Sequence, residues 1–432
     1  MKAPAISGPV QRNLTQALRE VMRRVLPWVP FLVLLAWGWP VDDVFHAVPS
    51  YQDALEVLWG IEWYGAHFPD RVLLFYPLLF HPEGWHVATF AYGPAVFLPL
   101  LPLFRWGGAA FAYNAGALLS LFVAFAGMFR LARRFARSTL AATVAALLYT
   151  FWGFRWLRIY GHLNILFGSM LLPWMVWSFD RGCRGAHRRW GSFVWTGVLW
   201  GMTVVCSLYF VWLGGLLLLA WGVGCWIPRR ERRSALLRGW GLAILVTGLI
   251  SAPVVFLYLR GYAAAEASPY DVYHLNAWGA SLNGLPLPSL AHPWLAPFAT
   301  AIYQGPVNES ALMNLGLLAS AVALLGIFAT HGQRGRRSLL LSLGVGLVLA
   351  LGLTLKWDDH IVQCDLFRPV TALIWRVGHG LKPDLFPVPE VPAQFEAAIP
   401  LPGLLLSALL PFWEGARTLS RFAFVAAPAF FI

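Results

Sequence analysis

Long apolar runs separated by short basic turns set the pattern of this chain. Such runs occupy residues 25–41, 109–129, 138–154, 163–179, 191–207, 208–228, 239–259, 310–330 and 338–355. A spanning helix needs about 20 apolar residues, within a range of roughly 17 to 25, so each run has close to the length of one crossing. The pattern predicts an all-α polytopic membrane protein with about nine or ten transmembrane helices. Residues 190–228 carry no charged side chain, yet at about 1.5 Å per residue they measure nearly twice the thickness of a bilayer core. The chain is therefore expected to fold back near Ser207 to Tyr209. Residues 94–104 (PAVFLPLLPLF) have about half the length of a span and contain Pro94, Pro99 and Pro102, which places them as a short juxtamembrane segment rather than a crossing.

Charge supports this layout. Apolar residues make up 59% and charged residues 12% of the 432-residue chain, and the mean hydropathy is +0.62. An ordinary globular chain is about a quarter charged, so soluble enzymes, disordered chains and secreted disulfide scaffolds are excluded. The formal charge of +12 comes from clusters between the runs: Arg12, Arg19, Arg23 and Arg24; Arg130, Arg133, Arg134 and Arg137; Arg181, Arg184, Arg188 and Arg189; Arg229, Arg230, Arg232, Arg233 and Arg238; and Arg334, Arg336 and Arg337. Juxtamembrane arginines hold loops on the cytoplasmic side. With the spans above, every cluster falls on one face. A nucleic-acid surface would gather them together with aromatics, so no nucleic acid is expected as a partner.

The chain then forms a single transmembrane domain, residues 1–432, integral to the cytoplasmic (inner) membrane with its N-terminus in the cytoplasm. Three polar segments, residues 39–108, 260–309 and 356–421, are exported to the outer face with nearly all the carboxylates. Glu20, Asp180 and Glu231 are the exceptions, and each lies beside a basic cluster. The last apolar run, residues 422–432, is too short to cross. It is expected either to dock at the interface or to be an incomplete span. Among the four cysteines no CxxC spacing and no evident disulfide pair occurs.

The first outer segment holds the most informative chemistry. Its tract SYQDALEVLWGIEWYGAHF places Leu55, Leu58, Trp59, Trp63, His67 and Phe68 near helical spacing, which predicts an amphipathic surface helix. Asp53 opens that helix, where the dipole favours a carboxylate; it is a candidate base or simply a helix-stabilising charge. Asp42 and Asp43 follow Pro40 and compete with it as runners-up. His81, Glu83 and His86 sit within six residues and could hold a divalent metal such as magnesium or manganese, although their spacing matches no established motif.

Arg417 and Arg421 lie on the outer side against the general trend, which makes them candidates for an anionic ligand or interfacial anchors. Arg155 and Arg158 are candidates for phosphate or sugar contact, with snorkelling to the interface as the structural alternative. His162, Asn164, His292 and Glu309 are further candidate substrate-binding groups. Trp59, Trp63 and Trp278 could stack on a sugar ring.

The order of these tracts resembles that of the polyprenol-phosphate-sugar-dependent glycosyltransferases of the GT-C superfamily, which includes the protein O-mannosyltransferases and aminoarabinose transferases; it looks closest to uncharacterised bacterial multi-pass members. The matching tracts are the Asp-led helix, FYP, the proline-rich run, AYN at Ala112 to Asn114, LARRFARS, RWLRIYGHLNIL, LPLPSLAHPWL, Glu309 with Leu315 and Gly316, and the final IPLPGLLLSALLPFWEGARTLSRFAF. The resemblance implies sugar transfer from a polyprenyl-phosphate carrier to a glycan, lipid or protein acceptor at the outer face, with membrane lipid around the site.

By position it matches Asp53 to the family's catalytic acidic residue and gives Arg417 and Arg421 the departing phosphate. The chain departs from the family in two ways. Gln52 stands before Asp53, where the mannosyltransferases have adjacent acids. The tract Gly161, His162, Leu163, Asn164 lacks the carboxylate that the aminoarabinose enzymes carry there. A transporter or lipid flippase, which needs ionisable groups near the midplane, and a non-catalytic assembly protein are the alternative classes.

Overall fold

A computed structural model describes residue 16 and residues 25–49, 52–68, 75–76, 85–86, 94–136, 138–184, 190–227, 233–264, 270–288, 294–306, 315–329, 335–416 and 418–432. These residues form the expected helical membrane protein. The helices are α1 (Trp28–Gly38), α2 (Gln52–His67), α3 (Leu101–Ala132), α4 (Thr139–Thr150), α5 (Leu163–Arg184), α6 (Trp190–Cys206), α7 (Tyr209–Trp226), α8 (Arg233–Ala264), α9 (Leu317–Ala329), α10 (Arg336–Ala350), α11 (Arg368–Leu381), α12 (Pro402–Leu409) and α13 (Ala423–Phe430), joined by shorter turns. Among the described residues sheet is confined to two antiparallel strand pairs, β1 (Phe75–Tyr76) with β2 (Trp85–His86) and β3 (Lys356–Trp357) with β4 (His360–Ile361).

The apolar runs become helices close to their expected limits. Among the described residues three helical stretches are long and apolar enough to cross a bilayer unaided: Leu98–Ala132, Tyr209–Trp226 and Arg233–Leu259. The pair Thr139–Thr150 and Gly153–Tyr160 adds a fourth, bent by 46°; the other expected spans form shorter helices or fall below that hydropathy. The uncharged stretch turns back where length required it, α6 ending at Cys206 and α7 starting at Tyr209. The proline-rich run is helical and continues into α3, whose first part is set off from the rest by a break at Gly108, with φ 80° and ψ −177°. Glycine has no β-carbon to oppose that conformation. The break falls at the expected boundary between the outer segment 39–108 and the span 109–129.

Close contacts fix which helix ends meet. A β-carbon on Gly168, near the start of α5, would lie 2.0 Å from the Phe210 ring at the start of α7. Trp200 Nε1 of α6 donates to the Phe210 carbonyl at 2.9 Å. The starts of α5 and α7 and the end of α6 therefore share one end of the bundle.

At the other end Asp180 is fully buried. It accepts from Arg134 Nε at 2.8 Å, from Trp221 Nε1 at 3.0 Å and from Arg184 Nε. Arg184 also donates to Ser338 Oγ at 3.2 Å, and Ser338 donates to the Trp221 carbonyl at 3.0 Å. This network clamps the loop after α3 to α5, α7 and α10, because a buried carboxylate is tolerated only when paired and hydrogen-bonded. Arg134, Arg181 and Arg184 thus gather at the end opposite the Ser207 turn. Cys183 and Cys225 also lie there, and none of the four cysteines forms a disulfide.

Helix α2 packs differently from its expected register. Ala54, Val57, Ile61 and Tyr64 form the buried stripe, and Tyr64 stacks on Phe97 at 5.0 Å. Leu55 is exposed. Trp59 and Trp63 stack on each other at 5.6 Å and are half-buried. Gly60 and Gly65 abut the rings of Phe97 and Phe104, leaving no room for a side chain at those two positions. The large apolar residues that suggested the face are displaced to its margins.

The second and third polar segments interlock. The β3–β4 turn places Asp358 and Asp359 at φ 50° and 64°, as a two-residue hairpin requires. Asp358 accepts from Asn283 Nδ2 and the Gln304 amide, both at 2.8 Å. The Asp359 amide donates to Ser281 Oγ at 2.7 Å, and buried Lys356 Nζ donates to Asp359 at 2.5 Å. Burial lowers the Lys356 pKa while Asp359 opposes the shift.

The final apolar run packs inside the protein. Every residue of α13 is buried, and Phe424 meets Trp152 and Phe154, each at 5.3 Å.

Candidate active site

Asp53 lies in the first turn of α2. Its Oδ2 is 3.3 Å from His162 Nε2, with the two side chains 38% and 18% exposed. This brings two sequence candidates into one reachable pair although they are far apart in the chain. Gly161 makes the approach possible. It adopts φ 133°, and a β-carbon there would stand 2.4 Å from Asp53 Cβ and 2.7 Å from the Ala54 amide nitrogen. The turn is held from behind by buried Tyr113, whose hydroxyl donates to the Ile159 carbonyl at 2.6 Å. His162 then leads into α5, the Leu166 amide donating to its carbonyl at 3.0 Å.

The AYN tract serves the same end of the molecule. Buried Asn114 Nδ2 donates to the carbonyls of Val44 at 3.0 Å and Ala47 at 2.7 Å, which pins the start of the first polar segment to α3. Asp43, one of the two runners-up, caps the turn so held. Its Oδ1 accepts from the Phe45 amide at 2.9 Å and its Oδ2 contacts His46 Nδ1 at 2.8 Å. The His46 hydrogen bond holds the Asp43 carboxyl below its ordinary pKa. Asp42 is exposed beside it.

Arg155 and Arg158 are both fully buried, which removes the snorkelling alternative. Arg155 donates to Ser169 Oγ at 3.3 Å and to the Thr150 and Ser120 carbonyls at 3.3 and 3.1 Å. It serves the break after α4, where helix carbonyls lack their usual partners. Arg158 lies over the Phe154 ring at 4.3 Å, one turn before Gly161. Asn164 is buried in the first turn of α5.

Arg421 sits in the turn leading into α13, almost buried, with its guanidinium 4.6 Å from the centre of the Tyr209 ring. Tyr209 opens α7, so Arg421 lies at the same end of the bundle as Asp53 and His162. Phe154 links the two sides, with Arg158 above it and Phe424 against it. Arg417, His292, Glu309, His81 and Glu83 lie outside the described residues, and His86 is described only as part of β2. Among the described residues no group of three or more His, Cys, Asp or Glu side chains comes together as a metal site.

Sequence reasoning missed Gly161, Tyr113 and Tyr209. The first two stood within quoted tracts, RWLRIYGHLNIL and AYN, and Tyr209 stood at the expected fold-back. Nothing local distinguished them, because each acts on a residue distant in sequence.

No protein-family profile and no curated protein matches the chain. Three solved structures resemble it. ArnT from Cupriavidus metallidurans bound to undecaprenyl phosphate is 12% identical with a TM-score of 0.49, covering 93% of this chain and 77% of that one. The same protein in the apo state is 14% identical with a TM-score of 0.48, covering 94% and 77%. The archaeal oligosaccharyltransferase AglB from Archaeoglobus fulgidus, in complex with an inhibitory peptide and a dolichol-phosphate, is 14% identical with a TM-score of 0.44, covering 94% of this chain and 50% of that one.

Proposed function

We propose that this protein is a membrane glycosyltransferase that moves a sugar from a polyprenyl-phosphate carrier to an acceptor at the outer face of the cytoplasmic membrane. The pairing of Asp53 with His162 is the observation that carries this reading. The arginine-bearing end of the bundle faces the cytoplasm under the positive-inside rule, with the N-terminus on that side, and the Asp53 end faces outward.

In this reading an acceptor hydroxyl attacks the anomeric carbon while Asp53 takes its proton. The bond from that carbon to the acceptor oxygen forms as its bond to the phosphate oxygen breaks, and the configuration inverts. His162 orients the carboxylate. Arg421, with Arg417, receives the polyprenyl phosphate leaving group, which needs cationic donors at the membrane edge. Asn164 lies nearby to bind a sugar hydroxyl. Arg155 holds the turn rather than the substrate, since its donors already meet protein oxygens. Any magnesium or manganese ion would be held by His81, Glu83 and His86 and would supply charge stabilisation to the departing phosphate.

The test is transfer of label from polyprenyl-phosphate sugars in proteoliposomes. Asp53→Asn should abolish transfer while the variant keeps its thermal unfolding profile; full activity would remove the proposed base. Comparing lipid-linked sugars in cells with and without the protein names the donor by the carrier that accumulates.

A further inference from the structure

The surface of α11 poses a problem that the sugar-transfer reading does not touch. Its inner face buries Thr371, Trp375 and Gly378. Its opposite face exposes Val370, Leu373 and Val377, and the stripe is extended by Leu366 before the helix and Leu381 at its end. Leu366, Leu373 and Leu381 are 78%, 64% and 63% exposed. Five apolar side chains at successive turns would be costly in water, at about 25 cal/mol for each Å² left uncovered.

The surrounding contacts state where this stripe lies. Helix α12 begins against the end of α10, the Leu401 amide donating to the Leu353 carbonyl at 2.8 Å, with Gly403 packed on Gly352. Just beyond α12, Phe412 accepts from Trp212 Nε1 in the first turn of α7 at 3.3 Å. Helix α12 therefore lies across the ends of two membrane helices and runs along the membrane plane. Helix α11 follows it alongside. At its start Thr371 donates to the Ala398 carbonyl at 3.1 Å, and beyond its end Lys382 Nζ donates to the Leu410 carbonyl. Leu405, Leu409 and Phe412 add exposed apolar surface to the same layer.

Charge completes the argument. Helix α11 contains no carboxylate, and Arg376 is exposed beside the stripe, while Arg368 at its start is paired with Asp365 at 2.8 Å and Glu396 at 2.9 Å. An amphipathic helix with basic residues on its polar margin and an uncovered apolar face binds a lipid surface carrying anionic headgroups.

We infer that α11 is an interfacial helix, seated with its Leu366, Val370, Leu373, Val377 and Leu381 stripe in the outer lipid monolayer. The rim of the outer segments is then a membrane-bound platform continuous with the lipid-facing sides of the spans. It fixes the height of the third polar segment above the bilayer by burial in lipid rather than by further protein contacts. This holds whether or not the chain transfers sugars.

The test uses the full chain in vesicles of phosphatidylethanolamine and phosphatidylglycerol. A bimane fluorophore is placed on Leu373→Cys in a Cys364→Ser background, where the remaining native thiols are buried. Glu390→Cys, at another exposed position, serves as the control. Nitroxide lipids labelled near the headgroup should quench bimane at position 373 about threefold or more above position 390, with little quenching by aqueous iodide. Equal lipid quenching at both positions, or strong iodide quenching at 373, overturns the inference. Protection from both quenchers with efficient 373-to-373 crosslinking also overturns it, assigning the stripe to a second copy. Val377→Cys repeats the measurement should Leu373→Cys express poorly.

Discussion

Gly161 runs so close beneath the first turn of α2 that a β-carbon on it would overlap Asp53, 2.4 Å from that residue's own Cβ. The contact sets the Asp53 carboxylate against His162 and makes a glycine with no chemistry of its own decisive for the pair. Gly161→Ala should cost about 1 to 2 kcal/mol from its left-handed backbone alone and push Asp53 off His162. Transfer should then fall about 100-fold at unchanged donor affinity, because misplacement by about 1 Å is enough for such a loss. Separate measurements of kcat and donor binding check this; equal losses in both would point to general unfolding instead.

The carboxylates of the first polar segment are separable. Asp43 is committed to capping its own turn through Phe45 and His46, whereas Asp53 faces His162 across the fold. Asp43→Asn should leave transfer within about twofold of the parent rate and Asp53→Asn should remove it. A reversed ranking assigns the base to Asp43.

Arg421 lies over the Tyr209 ring, 4.6 Å from its centre. Arg421→Gln should weaken binding of polyprenyl phosphate about tenfold or more, since a charge-assisted contact contributes more than a neutral one. Tyr209→Leu should produce a smaller loss by releasing the guanidinium. Binding measured by calorimetry in nanodiscs distinguishes them, and unchanged binding in Arg421→Gln confines this arginine to packing.

At the arginine-bearing end of the bundle Asp180→Asn should destabilise the protein by about 3 kcal/mol, since it leaves Arg134 and Arg184 without their shared anion. Thermal unfolding in detergent reads this directly. A shift no larger than that of a surface substitution would show the clamp to be redundant.

Alkaline pH should loosen the junction of the second and third polar segments. Burial, reinforced by Asp359, pushes the Tyr303 pKa up to about 12 from an ordinary 10. The folded state therefore keeps the phenol proton more firmly than the unfolded chain. Its contribution is full below pH 10 and lost as pH rises toward 12. Lys356, with its pKa lowered, acts in the opposite sense just below its ordinary value. Unfolding midpoints from pH 8 to 12 should fall more steeply for the parent than for Tyr303→Phe, and parallel curves would refute this.

The sequence by itself determined the helical membrane fold, the fold-back at Ser207 to Tyr209 and the gathering of Arg134, Arg181 and Arg184 at one end. These follow from run length and charge placement, which bilayer thickness and the cost of moving arginine across it convert directly into geometry. It also marked Asp53 as the opening of a helix. The buried stripe of α2, the removal of Arg155 and Arg158 from the surface and the meeting of Asp53 with His162 were decided only by tertiary structure. Each depends on which distant backbone comes near: a glycine admits a neighbouring helix, or a buried guanidinium finds carbonyls at a helix break. Local periodicity records which residues avoid water. It does not record which partner a group meets once it is out of water, and the proposed chemistry rests on that partner.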